Sequence, residues 1–143
     1  MENVNEVRTS PITEQALAMF TGSESFHRHS LVRNVIFTEG CTFLCRSGAA
    51  WLIDAIAIPQ NCKALLGEEF QSWKLAVDEA SRSAVLTATD GGASEDKEGN
   101  PVYKTLYRQK IPYTDFPLSE VSIYCCANGQ DRNGKTILLA SEY

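Results

Sequence analysis

Two histidines one residue apart raise the question of chemistry. His27 and His29, in the string Phe26-His27-Arg28-His29, would share one face of an extended backbone, because side chains alternate there. Two imidazoles on one face are half of a zinc site, and Glu24 lies nearby in sequence. A third ligand at a metal-binding spacing is missing. Cys41 and Cys45 align only if their segment is helical, and Cys125 and Cys126 would point opposite ways on a strand. No metal and no cofactor is predicted. Asp54 is the other candidate. It interrupts the apolar run Ala50 to Ile58, where an ionised carboxylate is costly unless paired or hydrogen-bonded. It reads as a general base or binding carboxylate, or as a satisfied group that fixes how a helix meets a loop. The second reading is favoured. Glu24, His27, His29 and Asp54 are therefore the candidate binding residues, with no catalytic assignment.

The five cysteines, Cys41, Cys45, Cys62, Cys125 and Cys126, are odd in number and follow no secretory leader. They read as reduced, mostly buried thiols. A cysteine nucleophile needs a base and an orienting group, and no Cys-x-x-Cys motif or glycine-rich nucleophile elbow is present. Phosphate-loop, dinucleotide, EF-hand and zincin patterns are also missing. In Tyr113-Thr114-Asp115-Phe116-Pro117-Leu118, Asp115 reads as a turn-closing residue and Phe116 as a plug at the sheet edge.

The elements that must position these residues follow from periodicity. Ser10 and Pro11 predict a helix start, Ile12, Ala16, Leu17 and Phe20 an apolar stripe, and Thr21-Gly22 its end. Residues 23–34 read as irregular, with a short helical or extended piece. Val35 to Thr38 predicts a strand closed by a Glu39-Gly40 turn, and Cys41 to Arg46 is ambiguous between strand and helix. Ala50 to Ile58 is apolar almost all round, a core helix stopped by Pro59. Asn61 to Leu66 adds a further turn. The period then changes to two. Phe70 to Val77, Ser83 to Thr89, Val102 to Ile111, and a last hairpin of Val121 to Cys125 and Thr136 to Leu139 around Asn133-Gly134 read as strands. Asp90 to Asn100 reads as a mobile loop.

Helices first and strands afterwards predict an α+β fold: an antiparallel meander of four or five strands, with the helices of the N-terminal half packed on one face. The expected organisation is a flexible N-terminal segment, 1–9, and a single α+β domain, 10–143. A chain of 143 residues with 43% hydrophobic and 22% charged residues can fold on its own core.

Eighteen acidic against thirteen basic residues give a net charge of -5. The basic residues are scattered, and Lys104, Arg108 and Lys110 read as a solvated strand face, so nucleic-acid binding is not expected. A basic protein partner suits the charge better. The longest apolar run, Ala49 to Pro59, is too short to span a bilayer, and a soluble, cytoplasmic protein is expected. An open edge on the last hairpin would allow a homo-oligomer.

The strings Phe20-Thr21-Gly22-Ser23-Glu24, Arg28-His29, Thr38-Glu39-Gly40, Trp51-Leu52-Ile53-Asp54-Ala55-Ile56, Phe70-Gln71-Ser72-Trp73-Lys74-Leu75, Tyr113 to Leu118 and Ser141-Glu142-Tyr143 together resemble a family of short bacterial, plasmid and phage proteins of unknown function. The resemblance runs from about Phe20 to Tyr143, with a longer polar stretch at Asp90 to Asn100. It implies a shared fold and a bacterial or mobile-element origin, and brings no activity. The expectation is a small acidic protein-interaction or accessory protein. The alternative is an uncharacterised enzyme or metal-binding protein using Glu24, His27, His29 and Asp54.

Overall fold

Alternation in the second half of the chain builds a sheet whose two faces have opposite character. The computed structural model describes residues 11–22, 24–130 and 132–143. The sequence reading of 1–9 as a flexible segment, and of Ser10 as a cap, lies outside them. Strand β1 is Phe26–Arg28, β2 Val35–Thr38, β3 Phe70–Asp78 and β4 Ser83–Thr89. A small separate hairpin, β5 Ser94–Glu95 and β6 Pro101–Val102, lies within and beside the stretch read as a loop. Then come β7 Thr105–Ile111, β8 Glu120–Ala127 and β9 Lys135–Leu139. Along β3, Gln71, Trp73, Leu75 and Val77 are buried, while Lys74, Ala76 and Asp78 face solvent, as the pleat requires.

The sheet has seven strands in the order β1-β2-β9-β8-β3-β4-β7. It is α+β, but larger than the expected four-or-five-strand meander and mixed rather than purely antiparallel. The difference comes from the N-terminal half. β2 pairs in parallel with β9, Val35 opposite Lys135, and β1 adds an antiparallel edge to β2. The last hairpin is therefore internal. β9 has β2 on one side and β8 on the other, so the edge expected there does not exist. Among the described residues the outermost strands are β1 and β7.

One face carries the helices. Helix α1 is Glu14–Ala18, capped by Thr13, whose hydroxyl accepts the Ala16 N–H. Helix α2 is Glu39–Leu44, so Thr38 ends a strand and caps a helix, and Glu39-Gly40 opens that helix instead of turning the chain back. The ambiguous Cys41 segment is thus helical. The path breaks at Ser47 and Gly48, where Gly48 takes φ +98°, a conformation that costs an L side chain energy. Helix α3 is Ala50–Ala57, followed by a 3-10 turn, Ile58–Asn61, and α4, Lys63–Leu66.

The stretch Glu39–Asn61 is long and apolar enough to cross a membrane by length and composition alone. In the fold it is kinked, and Cys41, Leu44, Leu52, Ile53 and Ile56 are completely or almost completely buried in the main core with Trp73, Ile123 and Ile137. Burying each leucine or isoleucine contributes about 1.5–3 kcal/mol, which ties α3 to the sheet.

The sheet reaches α3 from both edges. His29, just after β1, bonds Asp54 of α3, and Gln109 to Pro112, at the end of β7, share a groove with Trp51, Asp54, Ala55 and Ile58.

Candidate functional site

The structure divides the candidate residues. His29 is buried, and its Nε2 lies 2.7 Å from Asp54 Oδ1. Its Nδ1 accepts the N–H groups of Leu31 and Val32 at 3.1 and 3.0 Å. Nδ1 is therefore the acceptor nitrogen, and Nε2 carries the hydrogen donated to Asp54. Both ring nitrogens are engaged, so neither is open to a metal or a substrate proton. The pair ties the residues after β1 to α3; the Asp54 side chain is 51% exposed, so the buried carboxylate that the apolar run predicts is not found.

His27 stands elsewhere. Its ring stacks on Phe37 at 5.8 Å and lines a cleft of about 710 Å3 between β1 and α2, with Phe20, Phe43, Glu39 and Arg46. Glu24 is exposed just before Ser25, another residue of that cleft. So His27 lines that cleft, Glu24 is exposed and is not among its lining residues, and His29 and Asp54 form a separate pair. Among the described residues no group of three or more His, Cys, Asp or Glu side chains is placed to hold a metal.

Several buried polar groups were not singled out from the sequence. Gln60 and Gln71 exchange reciprocal amide bonds of 2.8 Å, and Trp73 Nε1 donates to Gln71 Oε1 at 2.8 Å. Lys135, buried at the start of β9, donates from Nζ to the Leu65 carbonyl at 2.8 Å and to Gln60 Oε1 at 3.2 Å. Loss of hydration on burial pushes its pKa below the usual lysine value. Glu142, also buried, accepts the Thr38 hydroxyl at 2.6 Å and the N–H groups of Leu139 and Gly40 at 2.9 and 3.1 Å. Arg82 donates to the Thr114 and Phe116 carbonyls at 3.0 and 2.7 Å, tying the Tyr113 to Leu118 connection to the β3–β4 turn. Burial pushes the Cys41 and Cys125 thiols up to about 12 and Cys45 up to about 11, which leaves them poor nucleophiles at neutral pH.

What remains exposed centres on Trp51. Its indole, half-buried, stands between two grooves. One, about 400 Å3, runs past Gly48, Asp115 and Pro117. The other, about 380 Å3, lies between α3 and the end of β7. Ile58 in the second groove is 59% exposed, and Tyr113, which follows the groove's Pro112 in sequence, is 69% exposed. Sequence reading placed Trp51 and Ile58 only in an all-apolar core helix. Their spacing with Ala55, four and then three residues, does mark a second helix face.

No curated protein and no solved structure shows detectable similarity to the chain. A family model does match, over residues 11–143, taking in the sheet, the helices and the surface around Trp51. The chain belongs to that family, DUF6876, a family of unknown function.

Proposed function

We propose that this is a small interaction protein that holds a protein partner at the Trp51 surface. The observation that carries the reading is the groove at the outer side of α3: half-buried Trp51 and Ala55 and exposed Ile58 line it with Asp54, and exposed Tyr113 follows its Pro112 in sequence. Tryptophan and tyrosine dominate the energetics of interfaces, and apolar patches rimmed by polar groups commonly mark them. A leucine- or phenylalanine-sized side chain buried in either groove would contribute about 1.5–3 kcal/mol. The engagement of His29 with Asp54 supports holding over turnover, because it occupies the groups best suited to proton transfer. An accessory role in a bacterial or mobile-element system fits such a protein, and a reducing cytoplasm suits its free cysteines.

The test is affinity capture from the source organism with the wild-type chain and with the surface variants Ile58→Ser and Tyr113→Ser. A defined protein should be retained by the wild type and released by both variants, each keeping wild-type thermal unfolding. Equal retention by all three proteins would refute the assignment.

A further inference from the structure

Building on the Trp51 reading, we propose that the partner binds as an added β-strand along the free edge of β7, with apolar and acidic residues alternating along that strand. Among the described residues β7 pairs with β4 alone, and Thr105–Ile111 gives it seven residues of free edge. Such an edge presents unpaired N–H and C=O groups at every second residue, a template for another chain. The opposite edge, β1, offers only three residues.

The pleat decides which side chains the added strand needs. Tyr107, Gln109 and Ile111 lie opposite Ala88, Leu86 and Ala84, the buried residues of β4, and so face the helix side. Arg108 and Lys110 lie opposite Thr87 and Val85 and are exposed on the uncovered side. On the helix side the edge adjoins a groove lined from β7 by Gln109, Lys110 and Ile111 and on its other wall by Trp51, Ala55, Ile58 and the His29-bonded Asp54. A strand laid beside β7 shares its pleat, so alternate side chains would enter that groove and the intervening ones would lie beside Arg108 and Lys110. Apolar residues suit the first set and carboxylates the second.

The charge of the whole chain points towards a basic partner, but charges are largely screened beyond about 8–10 Å at physiological salt. Residues 101–114 carry Lys104, Arg108 and Lys110 and no carboxylate. The same cations oppose a second copy. Antiparallel β7–β7 pairing centred on Arg108 sets it against itself, and pairing centred on Gln109 sets Arg108 against Lys110, like charges that destabilise a ladder.

The probe is a capped seven-residue peptide in which glutamate alternates with isoleucine and phenylalanine, titrated into the full chain by amide-resolved NMR and calorimetry. Shifts should map to β7 and α3. Replacing the glutamates by lysine, or N-methylating the edge-facing amides, should each weaken binding at least about tenfold. Charge reversal at the exposed pair, Arg108→Glu with Lys110→Glu, should invert the preference between the two peptides. No binding by the wild type at millimolar peptide, or shifts mapping away from β7, overturns the proposal. If binding survives N-methylation but is lost in Ile58→Ser, strand addition falls and the Trp51 docking reading stands. If it is lost on N-methylation but survives in Ile58→Ser, strand addition stands and the docking reading falls.

Discussion

Replacing Glu142 by glutamine should destabilise the fold far more than its place at a surface turn suggests. Its carboxylate is buried against the start of α2, accepting the Thr38 hydroxyl and the Leu139 N–H on Oε1 and the Gly40 N–H on Oε2. Glutamine keeps the volume but turns one oxygen into a donor. Whichever way the amide rotates, a backbone N–H of Gly40 or Leu139 then faces another donor. Hydrogen bonds to charged groups contribute about 1.5–3 kcal/mol each, so losing one should cost about 2 kcal/mol. For a chain of 143 residues that lowers Tm by about 4–8 °C. Glu142→Ala removes every one of these bonds and should cost about 3–5 kcal/mol. Gly40→Ala attacks the same joint sterically. Its Cβ would stand 2.5 Å from Leu139 Cδ1 and 2.6 Å from Glu142 Oε1, an overlap worth about 1–3 kcal/mol. Urea unfolding at neutral pH measures all three, and a double-mutant cycle with Thr38→Val isolates the shared bond. If Glu142→Gln stays within about 0.5 kcal/mol of wild type and the cycle shows no coupling, the carboxylate does not hold this joint.

Two further outcomes follow from buried groups. The Lys135 pKa is lowered in the fold by desolvation. Between that lowered value and the ordinary 10.5, the unfolded chain binds a proton that the folded chain does not. Stability should therefore rise with pH in that window relative to Lys135→Met, which lacks the titration; parallel urea-stability curves for the two proteins from neutral pH upwards would exclude it. A maleimide should label exposed Cys62 in seconds to minutes, whereas Cys41 and Cys125, buried and pushed up to about 12, should react only at the rate of unfolding; mass spectrometry of timed digests separates the cases.

Local pattern was enough to find α3, β3 and β4, because each carries its own periodicity. It could not find the topology. Nothing within Val35 to Thr38 announces a parallel partner at Lys135–Leu139, roughly a hundred residues away, and without that pairing the strands fall naturally into a short meander. The polar network was half visible. Gln71 shares the phase of Trp73, Leu75 and Val77, and Lys135 the phase of Ile137 and Leu139, so a glutamine and a lysine on a buried face were signals of internal partners. Glu142 gave no such signal, since its partners at Thr38 and Gly40 are brought to it only by the fold. The histidine pair is divided by the fold for a different reason. Two imidazoles on one strand face suggest ligands only while their ring nitrogens are free, and the turn after β1 delivers the Leu31 and Val32 amides to His29 Nδ1.

The two tryptophans show where the same reasoning reaches function. Trp73 is wholly buried, in phase with Leu75 and Val77 along β3, and its Nε1 donates to Gln71. Trp51 stands in a run that is apolar almost all round, a pattern that normally means burial on every side, and it is only partly buried against the core. Yet one sheet can cover only one side of a helix. Leu52, Ile53, Ile56 and Ala57 take that side, and the helical period forces Trp51, Ala55 and Ile58 onto another. The polar break on that outer side, Asp54, is spent on His29. A helix whose outer face would normally be polar here carries an indole, a methyl and a butyl group beside an unpaired strand edge. Solvating that face costs free energy that burial under a partner would recover, which is the physical ground for proposing a partner at Trp51.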